Sequence, residues 1–382
     1  MILSPDQTAV RDAARAFAQT EIAPYTAAWE RAGKVPAELF ERMAAHGCFG
    51  LLVPPAHGGS GLDMVSYALV SAEFAATDCG LANLMCVSNS PVAAAIRDHG
   101  TPAQHARYLV PLAAGTLRGC FLLTEAAAGS DAAAIRTRAT RRGDGWVVDG
   151  IKQFVTAGQS ASLALVIAVS DATAGKRGMT AFLVPTASNG YRVTRLEDKL
   201  GHRNCDTAEV TLAGLEVADE QVLGQPGDGY RIALAYLQGG RIGVAAQAVG
   251  VARAAFSAAL DYAGVRETFG RPIREHQAVG FRLAGMATSL TAARQLTLHA
   301  AALVDAGRPA LVEASMAKAQ ASAMAEQVCS EALSIFGGSG YTREQPVERY
   351  YRDARVLSIY EGTNDIQNLV IARQLGRNWT PD

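Results

Sequence analysis

The chain has 382 residues, is 49% hydrophobic and 19% charged, and carries a formal net charge of -1. It is too apolar for a disordered protein and too long for one core, so two or three packed subdomains are expected. Lys and Arg are scattered, which leaves no basic stripe for nucleic acid and no polybasic patch for a membrane surface.

The opening segment, MILSPDQ, lacks the charged-then-apolar pattern of a signal peptide. Ser4-Pro5-Asp6-Gln7 reads as a capping box with proline at the first helical position. Val10, Ala13, Ala14 and Phe17 follow at helical spacing. Pro36 opens a further helix that Gly47 can close. The glycine- and proline-rich stretch 54–61 is a loop. Helical texture resumes over 64–77 and continues to about residue 112.

Near Arg118 the texture changes. Gly143-Asp144-Gly145 is a turn signal before Trp146-Val147-Val148. Segments 163–169, 179–184, 191–194 and 208–215 are short, β-branched or apolar, and bounded by Gly, Pro or Asp. They predict a β-sandwich or barrel. From Gly229 the chain is Ala-rich and helical over 232–263, 280–306 and 309–336, the pattern of an antiparallel bundle. The expected class is therefore α+β and multi-domain. It comprises a helical domain at 1–117, a β domain at 118–226 and a helical bundle domain at 227–382.

Stretches 80–96 and 153–170 are uncharged, but their Asn, Ser, Gln or Pro argue against a bilayer span. The six cysteines (Cys48, Cys79, Cys86, Cys120, Cys205 and Cys329) form no CxxC pair, and no His/Cys clustering predicts a metal. Reduced thiols in a cytoplasmic protein are expected. No GxGxxG follows a strand, and neither a P-loop nor a GxSxG is present. The runs 58–61 and 337–340 are glycine-rich without those spacings and read alone as tight turns.

The informative feature is an ordered set of segments. Thr124-Glu125-Ala126-Ala127-Ala128-Gly129-Ser130-Asp131 opens the β region, and Lys152-Gln153-Phe154-Val155-Thr156 follows. Then come Lys199-Leu200-Gly201-His202-Arg203, Arg266-Glu267-Thr268-Phe269-Gly270 with Gln277, and Gly337-Gly338-Ser339-Gly340-Tyr341. Arg352-Asp353-Ala354-Arg355 precedes Tyr360-Glu361-Gly362-Thr363-Asn364-Asp365-Ile366-Gln367. The whole set resembles the acyl-CoA dehydrogenase family over nearly the full chain.

The resemblance implies a helical domain, a β domain and a C-terminal four-helix bundle. It implies FAD between the last two, completed by a neighbouring subunit of a homotetramer. The implied reaction removes the α proton of an acyl-CoA thioester and passes a hydride from the β carbon to flavin N5, giving a trans-2-enoyl thioester. Electron-transfer flavoprotein is the family's usual acceptor.

By the same resemblance, Phe121, Leu123, Thr124, Gly129 and Ser130 contact the cofactor. Phe154 stands where a tryptophan is common, and Thr156 bonds the ring system. Arg266, Thr268, Phe269, Gln277, Ser334, Gly337 and Gly338 reach the neighbour's FAD, with Ser334 replacing a frequent glutamine. A guanidinium suits a diphosphate because its fork matches two oxygens. Thr363 and Asp365 complete the cofactor set.

Glu361 is the implied catalytic base, since abstracting a weakly acidic α proton needs a carboxylate in a dry pocket. Ser130, Gln238, Arg241 and Gly362 are the implied substrate contacts, and Gln238 stands where an acid is usual. Ser88, Asn89 and Ser90 fall where the acyl tunnel is expected, which would favour a short or functionalised acyl group. Two alternatives stand beside this reading: a relative acting on carrier-protein-bound thioesters, and a flavin- or acyl-binding protein without turnover.

Overall fold

The first helix starts where Ser4 and Gln7 exchange hydrogen bonds. In the computed structural model, which describes residues 1–377 and Trp379, the Ser4 hydroxyl accepts from the Gln7 N–H at 3.1 Å. The Gln7 side chain accepts from the Ser4 N–H, also at 3.1 Å. This capping box opens α1 (Pro5–Phe17). Next come α2 (Thr26–Ala32), which the sequence reading passed over, and α3 (Ala37–Ala45). Then follow α4 (Met64–Thr77), α5 (Cys79–Val87), α6 (Ala94–His99) and the short turns α7 (Pro102–Gln104) and α8 (Val110–Ala113). Asp78 alone separates α4 from α5, and its carboxylate caps α5 by accepting from the Leu81 N–H at 2.9 Å.

The β region contains β1 (Gly119–Leu122), β2 (Arg138–Arg142), β3 (Gly145–Thr156), β4 (Leu163–Val169), β5 (Met179–Pro185), β6 (Tyr191–Leu196), β7 (Thr207–Ala218) and β8 (Val222–Leu223). The sheet order is β6-β7-β3-β2-β4-β5-β8, and β1 pairs in parallel with β4. Strands β2 and β4 share one residue pair, Arg138 with Val169. The sheet is pinched there, and its two halves fold over one core. Val148, Val210, Leu212 and Val217 from one half meet Ala164, Val166, Phe182 and Val184 from the other. Trp146 of β3 lies edge-on to Phe182 of β5 at 5.9 Å.

The alternate residues of β4 and β5 point the other way. Leu163, Leu165, Ile167 and Leu183 pack with Val92, Ile96 and Leu109 of the N-terminal helices and with Ile232. Strand β4 therefore reads as a continuous apolar run because both its faces are buried.

The C-terminal helices are α9 (Gly229–Val265), α10 (Gln277–Asp305), α11 (Leu311–Phe336), α12 (Val347–Val356) and α13 (Asn364–Gln374). A short hairpin of β9 (Glu267–Thr268) and β10 (Arg271–Pro272) joins α9 to α10. The three long helices pack together, and α12 and α13 lie on α11. The remaining side of the expected four-helix bundle is thus built from short helices. The stretch Cys79–His99, which runs from α5 through α6 with a break at Ser90, and α9 are long and apolar enough to cross a bilayer. Their apolar windows are 94% and 72% buried within the fold, which accounts for their composition.

Candidate active site

Segments 121–131 and 152–156 meet in the β domain. The Gln153 N–H donates to the Thr124 carbonyl at 2.9 Å, joining segment 121–130 to β3. Beneath this junction lies a buried ion pair. Lys152 is fully buried, and its Nζ donates to the Leu123 carbonyl at 3.0 Å and to Glu125 Oε1 at 2.8 Å. Glu125 also accepts from the N–H groups of Arg136 at 2.6 Å and Thr137 at 3.0 Å.

Burial brings Lys152 down to about 8, with Glu125 opposing the shift. Burial also pushes Glu125 up, but Lys152 and the two donors outweigh it and hold the carboxyl below its ordinary range. The pair fixes the loop that carries Thr124. Sequence reasoning gave neither residue a role. The available signal was a lone lysine two residues before Phe154 in β3.

Phe154 has φ 55 and is 61% exposed. A large side chain in left-handed backbone is strained, and such strain concentrates at functional surfaces. Here it holds an aromatic face in the open. Thr156, two residues on, accepts from Asn83 Nδ2 at 3.3 Å, leaving its hydroxyl proton to donate. Thr124 and Phe121 are half-buried, Leu123 is buried, and Gly129 and Ser130 are exposed. A Cβ added to Gly129 would meet nothing within 4 Å. An exposed aromatic face flanked by hydroxyls and bare backbone fits a planar, hydrogen-bonding ring system.

The loop between α12 and α13 carries Glu361. Its backbone is left-handed at φ 54, and Gly362 follows at φ 87. Thr363 caps α13 by accepting from the Ile366 N–H at 3.3 Å, and Asp365 is exposed beside it. Gln367 is fully buried and donates to the carbonyls of Glu361 at 3.2 Å and Gly362 at 2.9 Å. The Glu361 carboxylate packs against α9 at Gly240, where a Cβ would sit 2.8 Å from Oε2. Glu361 as a residue is half-buried, but Oε2 is closed off from solvent and has no hydrogen-bond partner. Burial raises this carboxyl to about 7, against the opposing charges of Arg241 and Lys318.

Arg241 is 7% exposed, donates to Ser315 Oγ at 3.4 Å, and leaves its buried Nε unpartnered. Gln238 is half-buried one turn earlier on α9. A carboxylate with an idle oxygen and a raised proton affinity is chemically a base awaiting a substrate proton.

The remaining predicted cofactor residues lie at the other end of the bundle. Arg241 and Arg266 are 25 positions apart on and just beyond α9, roughly 38 Å along a helix axis. Arg266, Phe269, Gln277, Ser334, Gly337 and Gly338 are exposed, and Phe269 is 97% so. Thr268 is half-buried, with its hydroxyl 3.3 Å from His276 Nε2. Tyr262 stacks on Phe336 at 4.2 Å, which draws the ends of α9 and α11 together. Added Cβ atoms at Gly337 and Gly338 would meet nothing within 4 Å. One chain thus gathers Thr124, Phe154 and Thr156 in one place, Gly240, Arg241 and Glu361 in another, and presents the rest outward.

The polar residues expected along an acyl tunnel are mostly spent on structure. Ser88 Oγ accepts from the Gly119 N–H at 3.1 Å. Asn89 donates to the carbonyls of Cys48 at 2.8 Å and Met85 at 3.1 Å, and accepts from the Leu51 N–H at 3.0 Å. Only Ser90 approaches the α9 glycines, its Oγ lying 3.1 Å from where a Cβ of Gly239 would be. A crevice of about 420 Å³ lies elsewhere, among Glu30, Arg203, Arg343, Glu348, Arg349 and Arg352.

The chain matches models of the acyl-CoA dehydrogenase N-terminal domain over residues 4–116, middle domain over 120–215 and C-terminal domain over 227–376. It is 40% identical over 375 residues to an acyl-CoA dehydrogenase of Bacillus subtilis (strain 168), covering 98% of this chain and 99% of that protein. Butyryl-CoA dehydrogenase from Megasphaera elsdenii superposes with a TM-score of 0.96 at 38% identity, covering 98% of this chain and 99% of that one. A chain in a structure described as the electron transferring flavoprotein of Acidaminococcus fermentans gives a TM-score of 0.97 at 41% identity. That match covers 99% of this chain and 100% of the other.

Proposed function

This chain belongs to the acyl-CoA dehydrogenase family of FAD-binding oxidoreductases acting on CH–CH donors, and we propose that Glu361 is its α-proton base. One observation carries the proposal: Oε2 of Glu361 is buried and unpartnered, against Gly240, on a carboxyl that burial lifts to about 7. FAD, when bound, supplies the acceptor for the hydride that leaves the β carbon.

The chain's own residues do the rest. Thr124, Phe154, Thr156 and Ser130 hold the ring system, supported by Lys152 and Glu125 from below. The Glu361 N–H polarises the thioester carbonyl, and Gly362 lets the thioester pass close to the backbone. Glu361 Oε2 takes the α proton. Gln238 and Arg241 line the thioester arm.

A short acyl group is the proposed substrate. Support comes from the similarity to butyryl-CoA dehydrogenase and from Ser90 facing Gly239. Electron-transfer flavoprotein is the proposed acceptor, supported by the likeness to the chain in the electron transferring flavoprotein structure. Six buried, unpaired cysteines support a reducing, cytoplasmic setting.

Anaerobic mixing with a panel of acyl-CoA thioesters tests the reading. Butyryl-CoA is expected to bleach the flavin absorbance fastest. Bleaching only by a carrier-protein thioester would replace the substrate, and no bleaching by either would overturn the activity.

The exposed set Arg266, Phe269, Gln277, Gly337 and Gly338 is proposed to complete the FAD site of a second subunit in a homotetramer. Light scattering of the FAD-loaded protein is expected to give a dimer or tetramer. A fully loaded, stable monomer would contradict this assignment.

A further inference from the structure

Helix α11 is Ala-rich, yet Ser315, Lys318 and Ser322 are all fully buried in it. They are spaced i, i+3 and i+7, so they line one face. Burying a lysine ammonium is costly unless something needs it there. What this seam touches is the loop bearing Glu361. Lys318 Nζ donates to Asn364 Oδ1 at 3.1 Å, and Ser322 Oγ donates to the same oxygen at 3.0 Å. The Asn364 N–H donates back to the Ser358 carbonyl at 3.0 Å, tying the two ends of the 358–364 loop together. One turn earlier on α11, Ser315 receives Arg241. The same face thus holds the loop and the arginine that stand on either side of the carboxylate.

The other titratable groups around Glu361 are neutral near pH 7. Tyr67 on α4, Cys86 on α5 and the adjoining Tyr360 all interact with it, and burial raises each of them. Tyr360 donates its hydroxyl to Gln247 at 2.7 Å. Among the described residues, the charges facing Glu361 are therefore Arg241 on α9 and Lys318 on α11. Burial lowers Lys318 itself to about 8, with Glu361 opposing the shift.

We propose that Lys318 is a positioning residue for the base: through Asn364 it fixes the 358–364 loop, and its buried charge keeps Glu361 ionised. The proposal rests on the reading of Glu361 as the base, and it extends that reading to a residue outside the substrate cleft. Arg241 sits in the substrate path. Lys318 lies behind the loop, so its charge persists whatever the substrate does to Arg241.

The test uses FAD-loaded protein carrying Lys318→Gln, which keeps a donor for Asn364 but removes the charge, and Lys318→Arg, which keeps the charge. Two readouts are needed. Infrared difference titration without substrate, against the matching Glu361→Gln double variant, reads the ionisation of Glu361 alone. Rapid anaerobic mixing with butyryl-CoA reads the pH dependence of flavin reduction.

Removing a positive charge raises a carboxyl pKa, so the Lys318→Gln midpoint is expected to rise by about one unit, the low end for a nearby opposite charge. Reduction below the midpoint then slows about tenfold at fixed pH. Lys318→Arg is expected to restore the parent midpoint. If Lys318→Gln does not load FAD, Lys318→Met, an apolar side chain of similar length, takes its place in both measurements.

An unmoved infrared midpoint would overturn the role of Lys318 while leaving Glu361 as the base. A raised infrared midpoint with an unmoved reduction profile would show that Lys318 acts on the Glu361 charge but would refute the base assignment, and with it the positioning role.

Discussion

Glu361→Gln is expected to slow flavin reduction by butyryl-CoA by at least ~100-fold, the usual cost of losing a general base. The amide keeps the size of the side chain and its hydrogen-bonding reach but not its proton affinity. FAD content is expected to stay normal, because the ring-contact residues lie on the 121–130 segment and β3 rather than on this side chain. Thioester binding should also persist, since the backbone N–H of residue 361 and the open approach at Gly362 remain. In the parent protein, reduction should rise with pH through about 7, where the buried carboxyl loses its proton. The Gln variant should show no such limb. Rapid-mixing absorbance measures both quantities, and near-normal reduction by the variant would assign the proton to another group.

How much of this was visible in the sequence depends on whether a role is local or depends on packing. The capping box at Ser4, helix α1 and strand β4 were legible because their signals are local: a cap, a helical period and an apolar run. Glu361 was legible only through its motif, since an isolated glutamate ordinarily belongs to a solvated face.

Lys152 and Lys318 were not legible as site residues. A lysine in a strand or an Ala-rich helix reads as exposed, and only packing shows that both are fully buried. Ser88 and Asn89 misled for the opposite reason. Polar residues in an apolar stretch resemble pocket lining. Here the stretch leaves helical geometry at Ser90 (φ -144, ψ 116), and these side chains satisfy backbone groups from Gly119, Cys48 and Leu51. An irregular backbone creates buried donors and acceptors, and nearby side chains are recruited to meet them.

Two glycines ten positions apart on α9 separate function from stability in the same helix. Gly250→Ala would place a methyl 2.2 Å from the Ala72 carbonyl oxygen and about 3.0 Å from two further backbone atoms of the same residue. Backbone of a packed helix yields only by moving α4, so this variant is expected to lose stability at the upper end of the ~1–3 kcal/mol typical of overpacking. Thermal unfolding would read that loss.

Gly240→Ala meets something different: the Glu361 carboxylate, at 2.8 Å from Oε2 and 3.1 Å from Cδ. A side-chain end can turn away where a backbone cannot, so the fold is expected to survive and FAD to load. The cost falls on the geometry of proton transfer. A displacement on the order of 1 Å at a reacting group is enough for a ~100-fold loss in rate. Gly240→Ala should therefore approach Glu361→Gln in flavin reduction while unfolding close to the parent temperature. It should also keep a pH-dependent limb, because its carboxylate still titrates. A Gly240→Ala protein with parent-like reduction would show that the carboxylate position seen against α9 is not the one from which the proton is taken.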